Sequence, residues 1–174
     1  MQIAILRVGF AELNILNEVE RGLSKAFPHL IFRVLEEVMP IPFEAYDSRR
    51  KQFFSSRILA RISNFSKKYG VEHVLGIADV DLFVPHLNFV FGEAEYSGRA
   101  AIISLFRLKP EFYSQNSNIK LLVERAVKEA VHEVGHTLGL GHCDNPTCVM
   151  FFSNSISDTD RKGIIPCEKC KSLL

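Results

Sequence analysis

Apolar residues change rhythm several times along the chain, and each change marks an element. Residues 2–8, QIAILRV, form an apolar, partly β-branched run suited to a buried first strand, and the period shifts after Gly9. Leu13, Leu16, Val19, Leu23 and Phe27 then recur at steps of three or four, with Ile15 at the flank. They predict an amphipathic helix over 11–27, stopped by Pro28. Residues 31–38, IFRVLEEV, fit a second strand closed by Pro40 and Pro42. Tyr46 to Ser48 lead into a cationic helix over 49–69, with Phe53, Phe54, Ile58, Leu59, Ile62 and Phe65 among its apolar positions and Gly70 as its stop.

From His73 the period becomes strand-like. Strands are expected at 73–78, 87–91 and 100–108, punctuated by Pro85, Gly92, Ser97 and Gly98. A long helix follows, capped by Asn116 or Ser117 and running through Leu121, Leu122, Ala126 and Val127 to Leu138. This order predicts a mixed α/β chain. No repeat, low-complexity run or linker interrupts it, so residues 1–174 are expected to form one domain. Its parts are sheet and helices over 1–115, the long helix and the turn after it over 116–142, and a C-terminal segment over 143–174.

Composition narrows the class. An apolar fraction of 47% with 24% charged residues is ordinary for a soluble globular protein. A net charge of +1 with no basic block argues against nucleic acid as a partner. The first ten residues have no basic leader, and their apolar run is too short for a secretory signal or a membrane span. A cytoplasmic monomer without a membrane partner or an inhibitory propeptide is the expectation.

The chemistry gathers in AVHEVGHTLGLGHCDNPTCVM, residues 130–150. His132 and His136 are four apart, so on a helix their imidazoles stack on one face as a two-point clamp for a metal ion. Glu133 projects beside that face, where a carboxylate can take the proton of a metal-bound water. In a continued helix His142 would lie roughly 15 Å along the axis from His132, so the helix must stop. A left-handed residue at Gly139, with Gly141 also free to turn, would swing His142 back as a third ligand. Three imidazoles leave one position for water, which zinc acidifies to a pKa of about 7. Each histidine alone is most simply a satisfied side chain. HExxHxxGxxH together would arise by chance on the order of once in ten thousand chains of this size. Three imidazoles also accept cobalt or nickel; zinc is preferred on geometry and its use in hydrolases.

Cys143, Cys148, Cys167 and Cys170, spaced CxxxxC and CxxC, favour a tetrahedral zinc over two disulfides in a reducing compartment. Two zinc ions per chain are therefore expected, one catalytic and one structural.

His132 to His142 resemble the consensus of the metzincin metallopeptidases, and Met150 follows at the distance of their Met-turn. The four cysteines resemble the pattern that marks archaemetzincins within that clan. The matching region, 131–170, covers about a quarter of the chain. The resemblance implies a metzincin-like zincin domain, with a twisted mixed sheet packed on helices that include the HExxH helix and a C-terminal segment clamped by zinc. It implies a zinc metallopeptidase with Glu133 as general base and Met150 as an apolar floor beneath the imidazoles. Several metzincins place a tyrosine ligand two residues after that methionine; here the residue is Phe152.

An extended peptide or protein substrate is expected along an edge strand, at 87–91 or 92–96. Glu93 or Glu95, lining the cleft, would hold a free amine and give aminopeptidase behaviour. Asp79 and Asp81 read more simply as a strand end in solvent than as an acidic pair in a cleft, and His29, His73 and His86 as surface or capping side chains. Two alternatives stand beside the peptidase: a binding or scaffold module holding zinc structurally with little turnover, and a hydrolase of amides in small metabolites. Glu133 favours an enzyme, because a structural site needs no base.

Overall fold

In the computed structural model, which describes residues 1–174, the first apolar run becomes β1 (Gln2–Val8). Ile3, Ala4, Ile5 and Leu6 are buried in succession, the mark of a strand covered on both faces. β1 pairs in parallel with β2 (Ile31–Met39) on one side and β5 (His73–Ala78) on the other. β8 (Ala100–Ser104) continues the parallel set beside β5, and β7 (Gly92–Ala94) closes it antiparallel to β8, giving the order β2-β1-β5-β8-β7.

Alternation sorts the strand residues to two faces. Ile3, Ile5, Leu75, Ile77, Ala101 and Ile103 pack with α1 (Leu13–Ala26) and α3 (Ile119–Thr137). Ala4, Leu6, Val74, Ala100 and Ile102 pack with Ile58, Leu59 and Ile62 of α2 (Ser55–Tyr69). The fold is the expected mixed sheet between helices, with α3 on one face and the edge strand β7 beside it. None of the helices is long and apolar enough to cross a membrane.

The predicted elements shift in four places. Leu13, expected on the buried stripe of α1, is half exposed, and Ile15 takes its position. The helix expected over 49–69 begins only at Ser55. The Asp47 carboxylate accepts from the Arg49 and Arg50 amides, Lys51 takes a positive φ of 54°, and the chain turns back as β3 (Tyr46–Asp47) and β4 (Gln52–Phe54). With β6 (Leu82–Phe83) these form a second sheet, β3-β4-β6, which the sequence did not announce. Residues 87–91 are not a strand: only Val90 bridges Leu82, and Arg50 and Gln52 occupy the carbonyls of Leu87 and Asn88. The strand expected over 100–108 ends at Ser104 and tightens into a 3-10 helix at Phe106–Leu108. In the C-terminal segment, α4 (Ile156–Arg161) starts on a Ser155–Asp158 capping box, and α5 (Glu168–Lys171) follows Cys167.

α1 crosses α3 at Gly22, where a Cβ would meet Val127 Cγ1 at 2.4 Å and Cγ2 at 2.6 Å. Valine is stiff at χ1, so the helices would have to separate. Gly22→Ala is expected to lower stability by about 1–3 kcal/mol, overpacking outweighing a helix-propensity gain of about 1 kcal/mol. Thermal unfolding measures it; a raised midpoint would show that the crossing can relax.

Candidate metal centre

Asn118, rather than Asn116 or Ser117, caps α3 by accepting from the Leu121 amide, and the helix carries His132 and His136 on one face. It ends as the glycine pattern requires: Gly139 has φ +92°, and the Leu140 amide returns to the Gly135 carbonyl at 2.9 Å. The chain then doubles back, bringing the His142 ring centroid to 5.3 Å from that of His132 and 4.8 Å from that of His136.

Backbone carbonyls set the tautomers. His132 Nδ1 lies 2.8 Å from the Val149 carbonyl and His136 Nδ1 2.8 Å from the Leu140 carbonyl. A carbonyl only accepts, so each Nδ1 carries the proton and donates it, leaving Nε2 bare. The two Nε2 atoms face each other at 3.1 Å. Four ligands about 2.0 Å from one ion would stand about 3.3 Å apart, so the pair is spaced for a shared metal. Burial holds the His132 imidazole well below its usual pKa and lowers His136 and His142 in the same direction, which favours the neutral form that ligates.

Glu133 is buried and has no protein hydrogen-bond partner. Its carboxyl lies against the edge strand, where a Cβ on Gly92 would stand 2.7 Å from Glu133 Oε1 and 2.6 Å from the Ile102 carbonyl. Only glycine allows that approach. Burial first, and then the neighbouring Glu129 carboxylate, push the Glu133 carboxyl well above its usual range. Met150 is fully buried beneath the helix, with its sulfur and methyl against Gly135, and the Phe152 ring lies 5.0 Å from that of His142.

The four cysteines form a second cluster. Cys143 and Cys167 Sγ are 3.8 Å apart, as are those of Cys148 and Cys170, and no disulfide joins them. Thiolates on a tetrahedron with 2.3 Å metal–sulfur bonds would be about 3.8 Å apart, so the set fits a zinc ion. The Cys170 backbone amide pulls the Cys167 thiol down to about 7, while burial raises Cys148 and Cys170. Within each group the donor atoms lie within 4.8 Å of one another.

Residues 28–174 match the sequence profile of peptidase family M54. The chain belongs to peptidase family M54, the archaemetzincin family. It is 45% identical over 173 residues to the archaemetzincin of Methanocaldococcus jannaschii, covering 98% of this chain and 90% of that one. It is 48% identical over 128 residues to that of Pyrococcus horikoshii, covering 74% of this chain and 68% of its relative. Among solved structures, the archaemetzincin of Archaeoglobus fulgidus, complexed with malonate, superposes with a TM-score of 0.86 at 36% identity over 100% of both chains. A zinc-dependent peptidase from Methanocorpusculum labreanum gives 0.90 at 28% identity, covering 98% of each. This archaemetzincin-family chain is accordingly a metallopeptidase.

Other polar residues singled out in the sequence sit elsewhere. Asp81 accepts two hydrogen bonds from Arg107, at 2.6 and 2.8 Å, and Asp79 pairs with Lys109, so the two carboxylates are neutralised rather than free in solvent. Glu93 points to the α2 face of the sheet, where Ser56 donates to it at 2.7 Å. Glu95 accepts from the Arg99 amide within its own turn. Glu93 Oε2 has no partner, and the Glu93 charge is among those that raise the Glu133 carboxyl. The edge strand itself is β7, Gly92–Ala94, the second of the two segments proposed from the sequence. Sequence reasoning missed Gly92 and the carbonyls of Leu140 and Val149. A glycine at the start of an edge strand was a visible signal for the first; a carbonyl carries none.

Proposed function

We propose that the histidine centre hydrolyses peptide bonds, with zinc held by His132, His136 and His142 and with Glu133 as general base. The observation that carries this reading is a buried carboxylate that directly follows, on the same helix, one of three converging imidazoles. A purely structural site completes four protein ligands and has no use for a base. When bound, zinc supplies a Lewis acid that polarises a peptide carbonyl and acidifies water toward neutral pH.

The chain's own residues supply the rest. The Val149 and Leu140 carbonyls lock the imidazole orientations. Glu133 takes the proton of the attacking water and passes it to the leaving amine. β7 is paired only on its β8 side, so its free edge can add the main chain of an extended peptide. Main-chain pairing gives affinity with little sequence selectivity. The cysteine cluster holds a second, structural zinc. Residues 1–174 act as one catalytic unit and as a monomer.

Glu93 turns to the α2 face with one oxygen on Ser56, and Glu95 is held in its own turn, and this favours an endopeptidase over an aminopeptidase. The test is a pool of peptides and their N-acetylated twins incubated with the zinc-loaded protein. Equal cleavage of both is expected. Cleavage of free-amine peptides alone would restore the aminopeptidase, and no cleavage of either would favour a binding module or a small-molecule amide substrate.

A further inference from the structure

Lys162 is fully buried, which lysine seldom is. Its ammonium pairs at 3.0 Å with Glu129 Oε1, also buried, and Thr159 Oγ1 donates to the same oxygen at 2.9 Å. An apolar pair of similar volume usually serves a fold as well as a buried ion pair does. The charges therefore invite a reason beyond packing, and the contacts of the ammonium supply one.

Three consecutive carbonyls fasten the turn around Met150. Val149 O accepts from His132 Nδ1 at 2.8 Å, Met150 O from the Cys143 amide at 3.0 Å, and Phe151 O from Lys162 Nζ at 3.5 Å. The first holds a proposed metal ligand, the second the residue after another, and the third a buried cation whose counter-charge sits on α3, one turn before His132 and Glu133. Lys162 thus ties the far side of the turn to the helix that bears the centre.

α4 does not depend on it for docking. Arg125 grips Asp160 through two hydrogen bonds of 2.7 Å, and Lys128 Nζ donates to the Asp160 carbonyl at 3.1 Å. What Lys162 adds is the hold on Phe151 and Glu129. Resting on the proposed function, the geometry points to Lys162 and Glu129 as a positioning pair for the catalytic centre, fixing the Met150 turn against α3 so that His132 keeps its orientation.

Lys162→Met alone leaves Glu129 buried without its partner, so stability and positioning fall together. The Glu129→Gln/Lys162→Met double variant separates them, since neither charge is then stranded. In the full chain, the double variant is expected to unfold within a few degrees of wild type and to keep its affinity for zinc at the cysteines. It should nonetheless bind zinc at the histidine centre about 10–100-fold more weakly by chelator competition, the usual effect of losing an outer support of a ligand. On a cleaved peptide kcat should fall with KM held, and Lys162→Arg, which keeps a charged donor, should recover part of both losses. A double variant with wild-type zinc affinity at the histidines would overturn the proposal. That readout needs no hydrolysis, so it stands apart from any failure of the peptidase reading.

Discussion

Glu133→Gln is expected to retain zinc at the histidine centre and to lose peptide hydrolysis by about 10²–10⁴-fold, the range for removing a positioned general base. The exchange keeps the shape of a side chain packed against Gly92. It also removes a buried carboxylate. In the metal-free protein the sign is definite: a carboxyl whose folded pKa is raised stabilises the fold only while protonated. That contribution is lost as pH rises from the ordinary carboxylate range through the raised value. The glutamine variant escapes this loss, so at neutral pH the metal-free variant should melt no lower than the metal-free parent. Lost hydrolysis with undiminished stability and zinc content isolates the chemistry. A variant that cleaved peptides at the parental rate would remove Glu133 from the mechanism.

The centre was legible wherever it depends on residue type at a fixed interval. A spacing of four on a helix places two imidazoles together whatever surrounds them, and Gly139 takes the left-handed conformation that the return of His142 demanded. The core strands were legible for a similar reason, since strands covered on both faces read as unbroken apolar runs, and residues 73–78 fall where expected.

What was illegible is set by groups without a sequence signature. The helix misread over 49–54 had apolar residues at helical intervals, but the Asp47 side chain captures two backbone amides and starts a turn that no periodicity records. Residues 87–91 look like a strand until side chains from Arg50 and Gln52, far away in sequence, take their carbonyls. Lys162 is the sharpest case: in DRKGI it reads as a surface cation, and only the folded chain gives it Glu129.

The cysteine cluster leads to the second large effect. Cys143 follows His142 directly, while Cys148 precedes Val149 and Met150, so the loop between the first two cysteines presents a ligand at one end and the orienting carbonyl at the other. Cys148 and Cys170 are buried in the same core as Val149 and Met150, and the Cys167 amide donates to Cys148 Sγ at 3.2 Å. Zinc held by four thiolates would lock these contacts, and its binding free energy would become folding free energy for the C-terminal segment. Replacing both Cys167 and Cys170 by serine should therefore remove one zinc per chain and lower the unfolding midpoint markedly. It should also weaken zinc at the histidine centre by about 10–100-fold, because His142 and the Val149 carbonyl lose their fixed separation. Zinc stoichiometry, thermal unfolding and chelator competition on the same preparation separate the three effects. If the variant lost its cysteine-bound zinc and still held the histidine-bound ion with parental affinity, the two centres would be mechanically independent, and the short loop would be rigid enough without its metal.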